Sequence, residues 1–176
     1  MNILLGVCGS ISAYKSCDIT SELIKKGHNV KIILTDGATK FVTPLSLQAL
    51  SKNYVHTTFE ENVPSEIQHI QLSKWADIFV IAPATANIIG KIANGISDDL
   101  LSCTAMVVTC RKLIAPAMNI AMYQNNIVTS NIKKLINNEY KEIQPRESLL
   151  ACGDFGQGAL ATVEDILKAI ESYNRV

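Results

Sequence analysis

Residues 69–101 read HIQLSKWADIFVIAPATANIIGKIANGISDDLL, and this stretch decides the fold. Ala76 to Ala82 is an apolar run with one aspartate, Asp77, near its start, the pattern of a strand buried on both faces of a parallel sheet. Pro83 has no N–H to give a ladder and is expected to stop that strand. Ala84, Thr85, Ala86 and Asn87 follow, small or hydrogen-bonding. A helical spacing of Ile88, Ile89, Ile92 and Ala93 then ends near Gly95. A strand thus delivers a tight turn of backbone amides and a hydroxyl to the start of a helix. Open α/β sheets bind ligands at that carboxyl edge. His69 stands before the strand, and Ser97-Asp98-Asp99 is read as the cap of the next apolar helix.

The same alternation extends in both directions. Asn2 to Cys8 reads as a strand that ends in Gly9-Ser10, Ile11 to Lys26 as a helix stopped by Gly27, and Val30 to Leu34 as the next strand. Two strands separated by one helix make a parallel, right-handed βαβ unit. A helix over Phe41 to Leu50, begun around Thr43-Pro44, precedes a short edge strand at Tyr54 to Thr58 and a polar surface loop from Phe59 to Ile67. Beyond the central stretch come a helix over Asp98 to Val108, a strand over Lys112 to Ala115, a helix clearest at Thr129 to Leu135, and a strand at Tyr140 to Ile143. Pro145 to Ala161 has no period and holds Gly153, Gly156 and Gly158, which reads as a mobile loop. A closing helix runs from Thr162, its N-cap, to Tyr173, with Ile166, Ile170 and Tyr173 facing inward. The class is α/β with a mainly parallel sheet.

Composition removes several functions. The formal net charge is zero and 48% of the 176 residues are hydrophobic, so no basic face for nucleic acid is expected. Five cysteines, an odd number without a CxxC pair, support neither a zinc site nor a disulfide framework, and no metal is expected. A reducing cytoplasm fits best. Gly6, Gly9 and Ser10 interrupt the apolar N-terminus, which reads as a core strand rather than a signal peptide. No run approaches membrane-spanning length.

Candidate site residues collect at the strand ends. The turn Gly6-Val7-Cys8-Gly9-Ser10-Ile11 puts glycines and a hydroxyl where exposed N–H groups favour an anion, most simply a phosphate. It is neither GxGxxG, because position 11 is isoleucine, nor a nucleotide P-loop, because no Gly-Lys-Ser/Thr follows. The bland alternative is a turn that only turns. Thr35 and Thr85 add donors at the same edge. His69 is either a loop or structural histidine or a titratable group beside the ligand shelf. Trp75 reads as core rather than as a stacking partner. Asn119 after Pro116 is either the N-cap of the next helix or a carboxylate-binding amide. Cys152, between Ala151 and Gly153, is either an inert loop thiol or a proton donor or nucleophile.

Four motifs occur in order: His69-Ile70; Pro83-Ala-Thr-Ala-Asn87 with Gly90-Lys91 and Asp98-Asp99-Leu100-Leu101; Pro116-Ala-Met-Asn119 with Met122; and Ala151-Cys-Gly-Asp154 with Gly156 and Gly158. Together they resemble the flavin-dependent cysteine decarboxylases, in particular those acting on 4'-phosphopantothenoylcysteine in coenzyme A biosynthesis. The resemblance covers nearly the whole chain. It implies a single-domain Rossmann-like three-layer sandwich over residues 1–176, with a substrate-covering flap around 145–161. It further implies bound FMN, a small-molecule substrate, and a homo-oligomer built of trimers, often a dodecamer of four trimers, with flavin sites between subunits. A separate synthetase partner is expected, since some members carry that domain fused. By position, Gly9, Ser10 and Ile11 match the first flavin-contacting turn, Thr35 follows the second strand, Thr85, Ala86, Asn87 and Ile88 match the second such turn, and Ala117 lies beside the flavin. His69 matches the catalytic histidine, Asn119 with Met122 the substrate site, Asn119 taking the carboxylate, and Cys152 the proton donor of the flap. Two positions depart: Ala159-Leu160 follows Gly158 where the family usually has arginine, and Tyr123 stands where many members have tryptophan.

The family chemistry suits these residue types. Oxidising the substrate's CH₂–SH to a thioaldehyde makes an electron sink beta to the carboxylate, CO₂ leaves as an enethiolate forms, and re-reduction with a proton from Cys152 gives 4'-phosphopantetheine. Peptidyl-cysteine decarboxylases share His69 and Pro-x-Met-Asn but stop at the enethiol, and the Ala-Cys-Gly-Asp segment argues against them. Flavin prenyltransferases are expected to lack Pro-Ala-Met-Asn. Flavin-binding regulatory subunits of a protein phosphatase carry long acidic extensions and have no need of His69, Asn119 and Cys152 together.

Overall fold

The computed structural model describes residues 1–59, 67–149, 153 and 155–172. In chain order the strands and helices are β1 (Asn2–Val7), α1 (Lys15–Lys25), β2 (Asn29–Leu34), α2 (Asp36–Thr39), α3 (Pro44–Ser51), β3 (Val55–His56), α4 (Gln68–Trp75), β4 (Ile78–Ala84), α5 (Ala86–Ala93), α6 (Leu100–Val107), β5 (Arg111–Pro116), α7 (Ile120–Tyr123), α8 (Asn126–Asn137), β6 (Tyr140–Glu142), β7 (Arg146–Leu149), β8 (Phe155–Ala159) and α9 (Val163–Glu171). A six-stranded sheet in the order β3-β2-β1-β4-β5-β6 is parallel throughout. The chain leaves β1 for β2 on one side and later returns to place β4 on the other. That reversal opens a crevice at the carboxyl ends of β1 and β4, where such folds bind ligands.

Alternation along the central strands makes the three layers. Ile3, Leu5 and Val7 of β1 join Val80 and Ala82 of β4 against Ile19 and Leu23 of α1 and Ile166 and Ile170 of α9. Leu4, Phe79 and Ile81 face the other way, onto Ile88, Ile89 and Ile92 of α5 and Leu100 and Leu101 of α6. Leu4, Phe79 and Ile81 are fully buried, as parallel strands covered on both faces require. Asp77, at the start of the apolar run, accepts a 2.7 Å hydrogen bond from the Asn2 N–H, which ties the first strand to the fourth.

Several expectations need correction. Pro83 does not stop β4, which runs on to Ala84 with a cis Ala82–Pro83 peptide. Between the pairs Ile81–Ile114 and Ala84–Pro116 β4 carries one residue more than β5, a bulge, and a bulge tolerates a residue without an N–H. The Pro83 carbonyl accepts from the Cys8 N–H at 3.3 Å, so the proline is used through its oxygen. The first helix begins as a 3₁₀ turn over Ile11–Tyr14 and becomes α-helical only at Lys15. His69 lies not in a loop but in the first turn of α4, a helix hidden in the sequence because two of its three buried residues, Gln68 and Ser73, are polar and only Leu72 is apolar. The segment 145–161 is not a structureless loop: β7 and β8 form an antiparallel hairpin outside the main sheet. Tyr173 lies outside the described residues.

Candidate functional site

The turns after β1, β2, β4 and β5 enclose a cavity of about 1310 Å³ at the carboxyl edge of the sheet. Gly9 sits where the first turn touches the second: a Cβ there would stand 2.7 Å from the carbonyl carbon of Gly37, so only glycine lets the two backbones meet. Ser10 Oγ accepts from the Ser12 N–H at 3.2 Å, and Thr85 Oγ1 accepts from the Ile88 N–H at 3.4 Å as the N-cap of α5. Each cap uses a lone pair and leaves the hydroxyl its own O–H to donate. Thr35 stands at the N-cap of α2, held by its N–H to the Val7 carbonyl at 3.0 Å. Gly9, Ser10, Ile11 and Thr35 line the cavity from one side, and Thr85, Ala86, Asn87 and Ile88 from the other.

The far end is made by the Pro116-Ala117-Met118-Asn119 segment and the hairpin. Ala117 N–H donates to the Ala84 carbonyl and Met118 N–H to the Gly158 carbonyl, both at 3.0 Å. A Cβ on Gly158 would run into the Met118 carbonyl oxygen, so this glycine lets β8 lie flat on the segment. Asn119 Oδ1 accepts from the Ala121 N–H at 2.8 Å and caps α7. The helix-cap reading of Asn119 therefore holds. Ala117, Asn119 and Met122 all line the cavity.

One charged cluster in the wall escaped the sequence reading. Lys91 on α5 lies 2.6 Å from Asp98 and 2.7 Å from Asp99, and Asp99 closes a capping box with Ser102 at the start of α6. The hydrogen bonds to Asp98 and then to Asp99 hold the Lys91 pKa above its ordinary value. Burial works to raise that of Asp99, but hydrogen bonds from Lys91 and Ser102 outweigh it and leave the carboxyl below its usual range. Asp98-Asp99 was legible as a cap. The signal missed was a lysine on the preceding helix that reaches the same cap. Cys8 also lines the cavity, yet burial pushes its thiol up to about 12, so it is no nucleophile at neutral pH.

One expected residue stands apart, and another falls outside the described residues. His69 does not line the cavity. Its ring packs edge-on, 6.2 Å between centroids, against Phe59, which does, and its buried Nδ1 has no hydrogen-bond partner among the described residues. Cys152 lies outside the described residues, between Leu149, which lines the cavity, and Gly153. Trp75 is away from the cavity, partly buried under the Lys31 ammonium 4.6 Å from its ring centroid. Among the described residues no group of side chains is arranged to hold a metal ion, and no helix is long and apolar enough to cross a membrane.

Comparison with known proteins agrees with this arrangement. The chain is 49% identical over 173 residues to the coenzyme A biosynthesis bifunctional protein CoaBC of Bacillus subtilis, covering 98% of this chain but only 43% of that protein's length. It is 46% identical over 172 residues to a probable phosphopantothenoylcysteine decarboxylase of Streptococcus mutans, covering 96% of each. Among solved structures, a PPC decarboxylase variant complexed with pantothenoylaminoethenethiol superposes with a TM-score of 0.89 at 29% identity, over 99% of this chain and 98% of that one. The FMN-dependent cysteine decarboxylase SpaF superposes with a TM-score of 0.88 at 29% identity, over 100% and 98%. The flavoprotein family model matches residues 1–175, and the chain belongs to that family.

Proposed function

We propose that this chain decarboxylates 4'-phosphopantothenoylcysteine to 4'-phosphopantetheine with FMN as cofactor. The observation that carries the reading is that one cavity joins the Gly9–Ser10 and Thr85 turns to the amide of Asn119. The residues fit a flavin. The Gly9–Gly37 contact makes a cradle that a side chain would fill, the Ser10 and Thr85 hydroxyls keep donors for a phosphate, and Ile11, Leu34, Ile88 and Leu101 offer apolar walls to a flat ring. Bound FMN supplies a reversible two-electron oxidation of the substrate's CH₂–SH, which gives CO₂ loss its electron sink.

The chain's own residues bind, orient and move protons. Asn119 holds the substrate carboxylate through its amide N–H, in the cavity wall it shares with Gly158. Cys152, following β7, donates the proton that completes the product. His69, as the base or orienting group, does not line its own chain's cavity, which supports a role for it at the cavity of a neighbouring copy. A trimer-based homo-oligomer belongs to the same proposal. Large apolar side chains stand in water at the cavity mouth, Ile11 60%, Met122 47% and Leu149 69% exposed, as surfaces awaiting a partner are. The relatives that span more than twice this length suggest a synthetase as the functional neighbour, fused or separate.

Mass analysis of the product tests the reading. The wild-type protein should give a product that has lost CO₂ alone, and Cys152→Ser one that is two hydrogens shorter. A wild-type product lacking those two hydrogens would instead make the chain an enethiol-forming decarboxylase.

A further inference from the structure

The cavity, at about 1310 Å³, exceeds the roughly 300–1,000 Å³ that one small ligand occupies, so cofactor and substrate fit side by side. Three cations line it: Lys15, Lys91 and Arg146. Lys91 is consumed by Asp98 and Asp99. The other two are not: among the described residues neither Lys15 nor Arg146 is in an ion pair.

The two come from different elements. Lys15 is the first residue of α1, just after the Ser10 and Ser12 hydroxyls. Arg146 opens β7 and pairs across the hairpin with Ala159, itself in the cavity wall beside the Gly158 that Met118 grips. Arg146 Nε donates to the Leu160 carbonyl at 3.2 Å, which fixes the fork and leaves four of its five N–H groups. Burial first, and then the Arg146 charge, push the Lys15 pKa down, while Asp18 one turn along α1 works weakly the other way. Asp36 is the remaining carboxylate in the wall and is likewise in no ion pair among the described residues. Two like charges that converge on one cavity repel each other, and a doubly charged anion between them removes the repulsion.

Resting on the decarboxylase reading, we infer that Lys15 and Arg146 form the receptor for the substrate's terminal phosphate and so select the phosphorylated over the unphosphorylated pantothenoylcysteine. The flavin phosphate has its own donors in the turns of the sheet edge. A group that must arrive and leave is met instead by a residue on the separate hairpin, which also roofs the Asn119 end where the carboxylate is held.

The test is the ratio of kcat/KM for 4'-phosphopantothenoylcysteine to that for pantothenoylcysteine, measured on the flavin-loaded protein, on Lys15→Met and on Arg146→Met, with flavin affinity from fluorescence quenching beside it. The ratio does not depend on what fraction of a variant is folded. Each substitution removes one or more charge-assisted bonds and should lower the ratio about 10- to 100-fold, through KM. Arg146→Lys, which keeps the charge but not the fork, should fall between. An unchanged ratio in both Met variants overturns the proposal, as does a wild-type protein that handles both substrates equally. So does a loss of flavin affinity with the ratio intact, which would give the pair to the cofactor. Turnover of neither substrate would sink the decarboxylase reading itself, and the receptor with it.

Discussion

A residue that does two jobs at once makes the jobs separable. Asn119 caps α7 with its oxygen, and the proposed function gives it the substrate carboxylate as well. Aspartate caps as well as asparagine does, so Asn119→Asp should keep the melting temperature of the wild type. It would also set a negative charge against the substrate carboxylate, and like-charge contact of this kind should lower kcat/KM by about 100-fold or more. Steady-state kinetics beside a thermal melt decides it: a variant that loses stability and activity together would reduce Asn119 to a cap. The sequence showed both readings of this residue because Pro116 and the strand before it place it at a helix start. It did not show which amide atom makes the cap, since that depends on how the side chain turns.

At the scale of elements, the site depends on how neighbouring segments are pinned together. Lys91 ties α5 to the start of α6 through Asp98 and Asp99, and each helix carries one of the cavity's walls. The Asp99 carboxyl is held below its ordinary pKa, so its ionised form stabilises the fold above the unfolded value, and that contribution fades as pH falls through the folded value. Asp99→Asn keeps the cap and drops the charge. It should melt a few degrees lower at neutral pH and lose less than the wild type on acidification below about pH 4. Parallel acid-melting curves for the two would show the bridge to be idle. The hairpin β7–β8 was the least legible element, because Gly156 and Gly158 erase the alternation that marks a strand. Those glycines are there for contact: a Cβ on Gly156 would strike Ile120, and one on Gly158 the Met118 carbonyl. Helix α4 was hidden because its buried positions include the polar Gln68 and Ser73, which leave no apolar period.

For the whole molecule, the parallel sheet was readable because burial on both faces forces continuous apolar strands such as Ile78 to Ala82, and because Thr43, Thr85, Asp99 and Thr162 announce the helices they cap. The pattern therefore puts the turn residues after β1, β2 and β4 at one edge, and they line one cavity. What the order of residues could not carry was distance in space. His69 looked like part of that edge and does not line the cavity, while Lys15 and Arg146, far apart along the chain, both do. The central claim is that this cavity joins a flavin to a cysteinyl carboxylate. The most direct measurement is release of labelled CO₂ from carboxyl-labelled 4'-phosphopantothenoylcysteine by the flavin-loaded protein and by the same protein stripped of flavin. The account predicts release from the loaded protein, matched mole for mole by 4'-phosphopantetheine, and none from the stripped protein until FMN is returned. Equal release by the stripped protein, or none by the loaded one, would contradict it.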